Sequence, residues 1–175
     1  DQVIMPDPRE SGTAADLLTA MISEWGEDKT WELFDKLFDN GMIVQGANGP
    51  ALDQVTSGSK GIVFGGVDYS AYSAKGKGEP LEVVIPSSGT TVTPRPVMIM
   101  KSSDNMDAAK AFVDFMFSEE AQQISASKNM IPSNTNVDPK NGPKLAEINQ
   151  ISDDWAAISK ESKNVREQFA DRYLK

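Results

Sequence analysis

Short apolar runs separated by helix-length segments dominate the first half of this chain, and that alternation constrains the fold more than any other feature. Val3-Ile4-Met5 is a brief strand signal stopped by Pro6 and Pro8. After Ser11-Gly12-Thr13, the residues Ala14, Leu17, Leu18, Met21, Ile22 and Trp25 recur at helical spacing, and Gly26 ends the pattern. A second amphipathic helix carries Trp31, Phe34, Leu37 and Phe38, closed by Asn40-Gly41. Met42-Ile43-Val44 reads as a strand, and a polar helix follows through Ala51, Leu52 and Val55 to Ser57-Gly58. Ile62-Val63-Phe64, a continuous apolar run, predicts a strand buried on both faces. Beyond Gly65-Gly66, residues 68–75 form a short helix, and Leu81 to Ile85 another strand. Strands spaced by helices imply an α/β fold with a mostly parallel sheet flanked by helices.

The second half changes character. Pro86 to Pro96 is an extended connector rich in proline, serine and threonine, and Val97 to Met100 is expected to be a strand. A helix over Met106–Phe117 turns Ala108, Ala109, Phe112, Val113 and Met116 to one side. Ser118 caps a further helix through Ile124, and residues 132–143 are a loop rich in Asn and Pro. The tail is helical, anchored by Trp155, Ile158, Val165 and Phe169.

Composition removes whole classes of function. There is no histidine and no cysteine among the 175 residues. Ser-His-Asp and Cys-His catalysis, disulfides, thiol redox chemistry and imidazole or thiolate zinc sites are therefore excluded. A net charge of −9 repels phosphate backbones, so nucleic acid is not an expected partner. No apolar run is long enough to span a bilayer. The opening Asp1-Gln2-Val3-Ile4-Met5 reads as the start of a strand, not a signal peptide.

Two loops carry candidate chemistry. Asp7-Pro8-Arg9-Glu10-Ser11-Gly12-Thr13 joins a strand to a long helix, where first-turn amides lack internal partners and carry the positive end of the dipole. Small and hydroxyl side chains there admit an anion, and the carboxyl ends of strands in open α/β sheets are where ligands bind. The alternative is that Ser11 or Thr13 only caps the helix. Asp68, Tyr69 and Tyr72 follow Gly65-Gly66 in an equivalent position. Two tyrosines with a carboxylate could hold ferric iron as phenolates, whereas the plainer reading makes Asp68 a cap and the tyrosines rim packing. A carboxylate-based enzyme would need acids such as Asp7, Glu10 and Asp68 brought together, which nothing in the spacing shows.

A family resemblance then emerges. The run from Gly78 through Leu81-Glu82-Val83-Val84-Ile85-Pro86, with Gly89-Thr90, Pro94 and Val97-Met98-Ile99-Met100, resembles bacterial extracellular solute-binding proteins. So do Asn105 to Phe115, Ser118-Glu119-Glu120-Ala121-Gln122, the opening Pro6-Asp7-Pro8 with Ser11-Gly12-Thr13-Ala14, and Val55-Thr56-Ser57-Gly58. The likeness is to the periplasmic receptors of ABC transporters of the ferric-iron and phosphorylated-compound type. It implies a type 2 periplasmic binding fold of two α/β lobes closing on a solute between them.

By that resemblance, residues 1–85 form a second-lobe ligand-binding domain. Residues 86–128 are the crossover and a segment returning to the first lobe, and residues 129–175 are a helical segment packing on the second lobe. The opening part of the first lobe has no counterpart here, so the Met106–Phe117 helix is expected to seek another cover, by homo-oligomerisation or domain exchange. The resemblance also implies no catalysis, no cofactor, a membrane permease as partner of the complete receptor, and a periplasmic or extracellular location, membrane-associated in a Gram-positive source. It places Asp7, Ser11, Gly12, Thr13, Gly66, Asp68 and Tyr69 at the ligand, with Ser11-Gly12-Thr13 holding an anionic group. Tyr69 and Tyr72 stand near the family's adjacent iron-binding tyrosines, but they are three apart and no histidine completes the set. A phosphorylated sugar or a phosphonate is accordingly the expected solute, with ferric iron the alternative.

Overall fold

The computed structural model describes residues 1–174 and divides into two compact units, residues 1–92 with 149–174 and residues 93–148.

The first unit is built on a three-stranded parallel sheet. Strand β1 (Val3–Met5) lies between β2 (Ile43–Val44) and β3 (Ile62–Val63), with Ile4 opposite Ile43 and Val63. Only β1 has a neighbour on each side, and its Ile4 and Met5 are fully buried. The expectation of a doubly covered strand at Ile62-Val63-Phe64 is not met. β3 is an edge strand, and Ile62 is 56% exposed. A continuous apolar run cannot by itself say that both faces will be covered, because that depends on what packs against the strand.

Helix α1 (Gly12–Trp25) starts at the cap Ser11 and stops at Gly26, whose left-handed φ of 84° lets its N–H return to Ile22. Helix α2 (Glu27–Asp39) ends in a Schellman turn. Gly41 N–H donates to the Phe38 carbonyl and Met42 N–H to that of Leu37. Helix α3 (Asn48–Thr56) joins β2 to β3, and α4 (Asp68–Gly76) follows β3. The last helix, α7 (Trp155–Tyr173), packs along α1. Its Ile158, Val165 and Phe169 are buried and Trp155 is half-buried against the same core.

That core is strongly aromatic. Phe34 meets Phe169 edge-on at 5.4 Å, and Phe38 stacks on Tyr173 at 4.3 Å. The Tyr173 hydroxyl donates to Asp35 Oδ1 at 2.6 Å, fastening the end of α7 to α2. Burial and the Asp35 carboxylate together push that phenol well above its ordinary pKa, so it remains a donor.

The expected strand Leu81–Ile85 does not form. Leu81, Val83 and Ile85 are half-buried while Glu82 and Val84 are exposed, which is strand-like alternation, yet no ladder forms. No neighbouring strand takes up its backbone N–H and C=O groups, and without that a lone extended segment is not a sheet. Further on, Thr90 forms a single parallel bridge to Gln150, with Thr90 N–H on Asn149 O and Ile151 N–H on Thr90 O.

The second unit consists of α5 (Met106–Met116), α6 (Glu119–Ser127) and the loop after them, including a short 3-10 turn at Leu145–Glu147. Asn105 and Ser118 cap the two helices through Ala108 N–H and Ala121 N–H. The expected strand Val97–Met100 is again absent, for the same want of a partner. Side-chain amides hold this unit together. Gln122 donates to Met116 O and accepts from Ser133 N–H, Asn134 donates to Phe117 O, and Asn141 donates to Asn129. No residue of α5 is buried, and Phe112 is 61% exposed.

Candidate functional site

The carboxyl ends of the three parallel strands lie at one edge of the sheet, and the loops leaving them are cross-linked there. Asp7, two residues past β1, donates its N–H to Gly46 O in the loop after β2. The Asp7 carbonyl accepts from the N–H groups of Glu10 and Ser11, which turns the chain into α1. Strand order in this sheet reverses about β1, and crevices at such reversals are where open α/β sheets take ligands.

At the start of α1 the side chains form a closed polar group. Ala14 N–H donates to Ser11 Oγ at 3.2 Å, and the Ser11 hydroxyl donates to Asn48 Oδ1 at 3.0 Å. The Asn48 amide donates to Thr13 Oγ1 at 3.3 Å, while Ser11 and Thr13 hydroxyls lie 3.2 Å apart. With the Ser11 proton committed to Asn48, the Thr13 hydroxyl hydrogen is taken up by Ser11 Oγ across the 3.2 Å contact, and the side chains close on themselves. The amides of Gly12 and Thr13 stand in the first helical turn, where no intrahelical acceptor exists. The helix start therefore offers amide donors. Ser11 caps it and, at the same time, the amides suit a negative charge.

Gly12 adds a second observation. A Cβ built there meets nothing within 4 Å, and its backbone needs no left-handed φ. Neither packing nor conformation requires glycine at this position. Gly66 is different, because a Cβ there would approach Val63 Cγ1 to 2.9 Å. Close packing behind β3 accounts for that glycine.

Asp7 is 4% exposed, and both its carboxylate oxygens are occupied by Arg9. The Arg9 N–H reaches Oδ1 at 2.8 Å, Nε lies 3.0 Å from each oxygen, and Nη2 is 2.6 Å from Oδ2. Burial pushes the Asp7 carboxyl up, but the hydrogen bonds and charge of Arg9 outweigh it and hold it below the usual range.

Asp68 and Tyr69 lie on the β3 side of the edge, at the first residues of α4. The Asp68 carboxylate accepts the Tyr69 N–H at 2.8 Å, and burial pushes its pKa up. Tyr72 is half-buried one turn further, and burial together with the Asp68 charge pushes its phenol up as well. Among the described residues no group of three or more acidic side chains is close enough to hold a metal.

Hydrogen bonds thus bring Ser11 and Thr13 together with a residue that sequence reasoning missed, Asn48. Its signal was present: Ala47-Asn48-Gly49-Pro50 follows a strand and opens a helix, as Ser11-Gly12-Thr13 does. Asp68, Tyr69 and Gly66 occupy the loop and helix start across β1 from β2, outside that hydrogen-bonded group.

Comparison with known proteins places this edge in context. Residues 1–160 match the family described as bacterial extracellular solute-binding protein. An uncharacterized protein of Haemophilus influenzae is 28% identical over 153 residues, covering 86% of this chain and 43% of that protein. A probable ABC transporter periplasmic-binding protein, y4fP, of Sinorhizobium fredii is 28% identical over 116 residues, covering 65% of this chain and 32% of its own. The periplasmic binding protein AfuA of Actinobacillus pleuropneumoniae, solved with exogenous fructose-6-phosphate bound, superimposes with a TM-score of 0.80 at 28% identity. That match covers 99% of this chain and 56% of AfuA. The chain therefore spans about half the length, or less, of these relatives.

Proposed function

Because the chain belongs to the bacterial extracellular solute-binding protein family, we propose that it is the solute-binding component of an ABC importer and takes a small organic anion. A phosphorylated sugar or a phosphonate fits best. The observation that carries this reading is the start of α1, where the first-turn amides of Gly12 and Thr13 have no intrahelical acceptor and a Cβ at Gly12 would meet nothing within 4 Å. AfuA, similar over nearly the whole of this chain, was solved with fructose-6-phosphate, which carries such an anion. Asp68 and Tyr69, across the edge, are then the partners for the hydroxyls or amine of the solute.

The mechanism is binding without chemistry. Amides and hydroxyls hold the anionic group by charge-assisted hydrogen bonds, and no metal or cofactor takes part. The partner is a membrane permease that receives the solute, and the setting is periplasmic or extracellular. A ferric-iron receptor built on Tyr69 and Tyr72 is the alternative, and it is disfavoured because the two tyrosines are three residues apart and no histidine completes the set.

Thermal melting with fructose 6-phosphate, an aminoalkyl phosphonate, inorganic phosphate and ferric citrate tests the reading. A ligand of the folded state raises the midpoint by mass action. The phosphorylated compounds are expected to raise it, and Ser11→Ala with Thr13→Ala to abolish the shift. Gly12→Ala should leave the stability of the unliganded protein within about 1 kcal/mol of the parent, because its Cβ meets nothing within 4 Å, yet weaken binding. A shift with ferric citrate alone would establish the iron reading instead.

A further inference from the structure

Asp7 is the one buried acidic or basic side chain among the described residues, and it stands in the turn that leads into the proposed anion site. Its carbonyl accepts the N–H of Ser11, the cap residue itself. A bare carboxylate there would oppose the ligand that the helix start attracts. Its place in the fold explains why it is kept. The Asp7 backbone ties the loop after β1 to the loop after β2, and its side chain orders residue 9 through the Arg9 N–H. Arg9, with its side chain 54% exposed, folds back over the carboxylate and gives it three side-chain contacts.

We propose that Arg9 is a specificity-determining residue that acts through Asp7: it cancels the buried carboxylate in the turn leading into α1, so that the site can accept a doubly charged phosphate or phosphonate. Asp7 is a positioning residue in this arrangement and makes no ligand contact. The inference rests on the anion reading above and deepens it. The other acids at this edge differ in kind. Glu10 is solvent-exposed, Asp16 is half-buried in the second turn of α1, and Asp68 lies across β1 and is harder to ionise. Asp7 is therefore the charge that a cover must cancel.

The test is a charge cycle on the whole chain, with fructose 6-phosphate and unphosphorylated fructose as probes in titration calorimetry. Removing the cover in Arg9→Gln should weaken fructose 6-phosphate binding by roughly tenfold or more, since the uncompensated charge lies within a few residues of the ligand. Removing the charge as well, in Asp7→Asn with Arg9→Gln, should return affinity to within about threefold of the parent. Arg9→Lys keeps the charge without the planar fork and should retain most of the affinity. Circular dichroism of each variant separates lost folding from lost binding, and should Arg9→Gln not fold, Arg9→Lys and the double variant still decide.

A double variant as weak as Arg9→Gln would overturn the proposal in favour of direct contact between Arg9 and the ligand. An Arg9→Gln variant that binds like the parent would overturn it as well. In either case the anion reading would stand, because the parent binds. If the parent takes up no phosphorylated sugar, or binds fructose equally well, the anion reading and this inference fall together.

Discussion

Asp7 and Asp68 are two carboxylates at one edge of one sheet, and their surroundings drive them in opposite directions. Burial raises both, but Arg9 reverses the effect at Asp7, while Asp68 has only the backbone N–H groups of Tyr69 and its own residue to offset it. The signs for stability follow by linkage. Asp7, lowered in the folded state, contributes stability that is complete above the ordinary aspartate range and is lost as pH falls through its folded value. Asp68, raised in the folded state, favours the folded protein at low pH, and that advantage disappears as pH rises through its folded value. At neutral pH it is a burden on the fold. Asp68→Asn is therefore expected to raise the urea midpoint at pH 7 and to shrink the difference between pH 7 and pH 5. An unchanged midpoint at pH 7 would mean that Asp68 is solvated well enough to ionise freely.

At the level of elements, the helices follow from local chemistry and the strands do not. Ser11, Asn105 and Ser118 each cap a helix with a side-chain oxygen, and Gly26 and Gly41 stop two helices with a left-handed backbone. These contacts reach only a few residues along the chain, so their signals are readable in order. Leu81–Ile85 and Val97–Met100 have the composition of strands, but pairing needs a partner that local sequence does not supply. The bridge between Thr90 and Gln150 shows the same dependence. It brings Gly89 against the chain near residue 150, with φ of 108° and a notional Cβ only 3.0 Å from Ile151 Cγ1 and 3.1 Å from Asn149 O. Gly89→Ala should accordingly destabilise the first unit by about 1–3 kcal/mol, from backbone strain together with the clash. Chemical denaturation followed by tryptophan fluorescence would measure it, because Trp31 belongs to that unit's core. A loss below about 0.5 kcal/mol would mean that the crossing relaxes freely.

Across the whole molecule, apolar surface is unevenly covered. The first unit encloses Phe34, Phe169, Met21 and Ile158, whereas the second leaves Met98, Met100, Phe112 and Phe117 exposed. Exposed apolar surface on this scale marks an interaction face. We propose that these exposed side chains draw in a second copy of the chain, by association or by exchange of segments. Sedimentation equilibrium should show a mass above 19.0 kDa that rises with concentration. Phe112→Asp with Phe117→Asp should return it to a monomer. A wild-type chain that stays monomeric at high concentration would rule the proposal out.

The residues alone determined the fold class, the helix positions, the family and the helix start at Ser11-Gly12-Thr13. Each of these rests on spacing within a turn or two, or on the order of motifs along the chain. Only the tertiary structure decided that β1 and not β3 is the central strand. It alone brought Asn48 across 37 residues onto Ser11, and buried Asp7 in the turn before α1 with Arg9 on its carboxylate. The Asp7–Arg9 pair is two residues apart and was present in the sequence throughout. Its meaning was hidden because an acid beside a base in a loop is ordinarily a solvated pair, worth little. Burial changes that, and burial is a property of what packs around a residue, which no local pattern records.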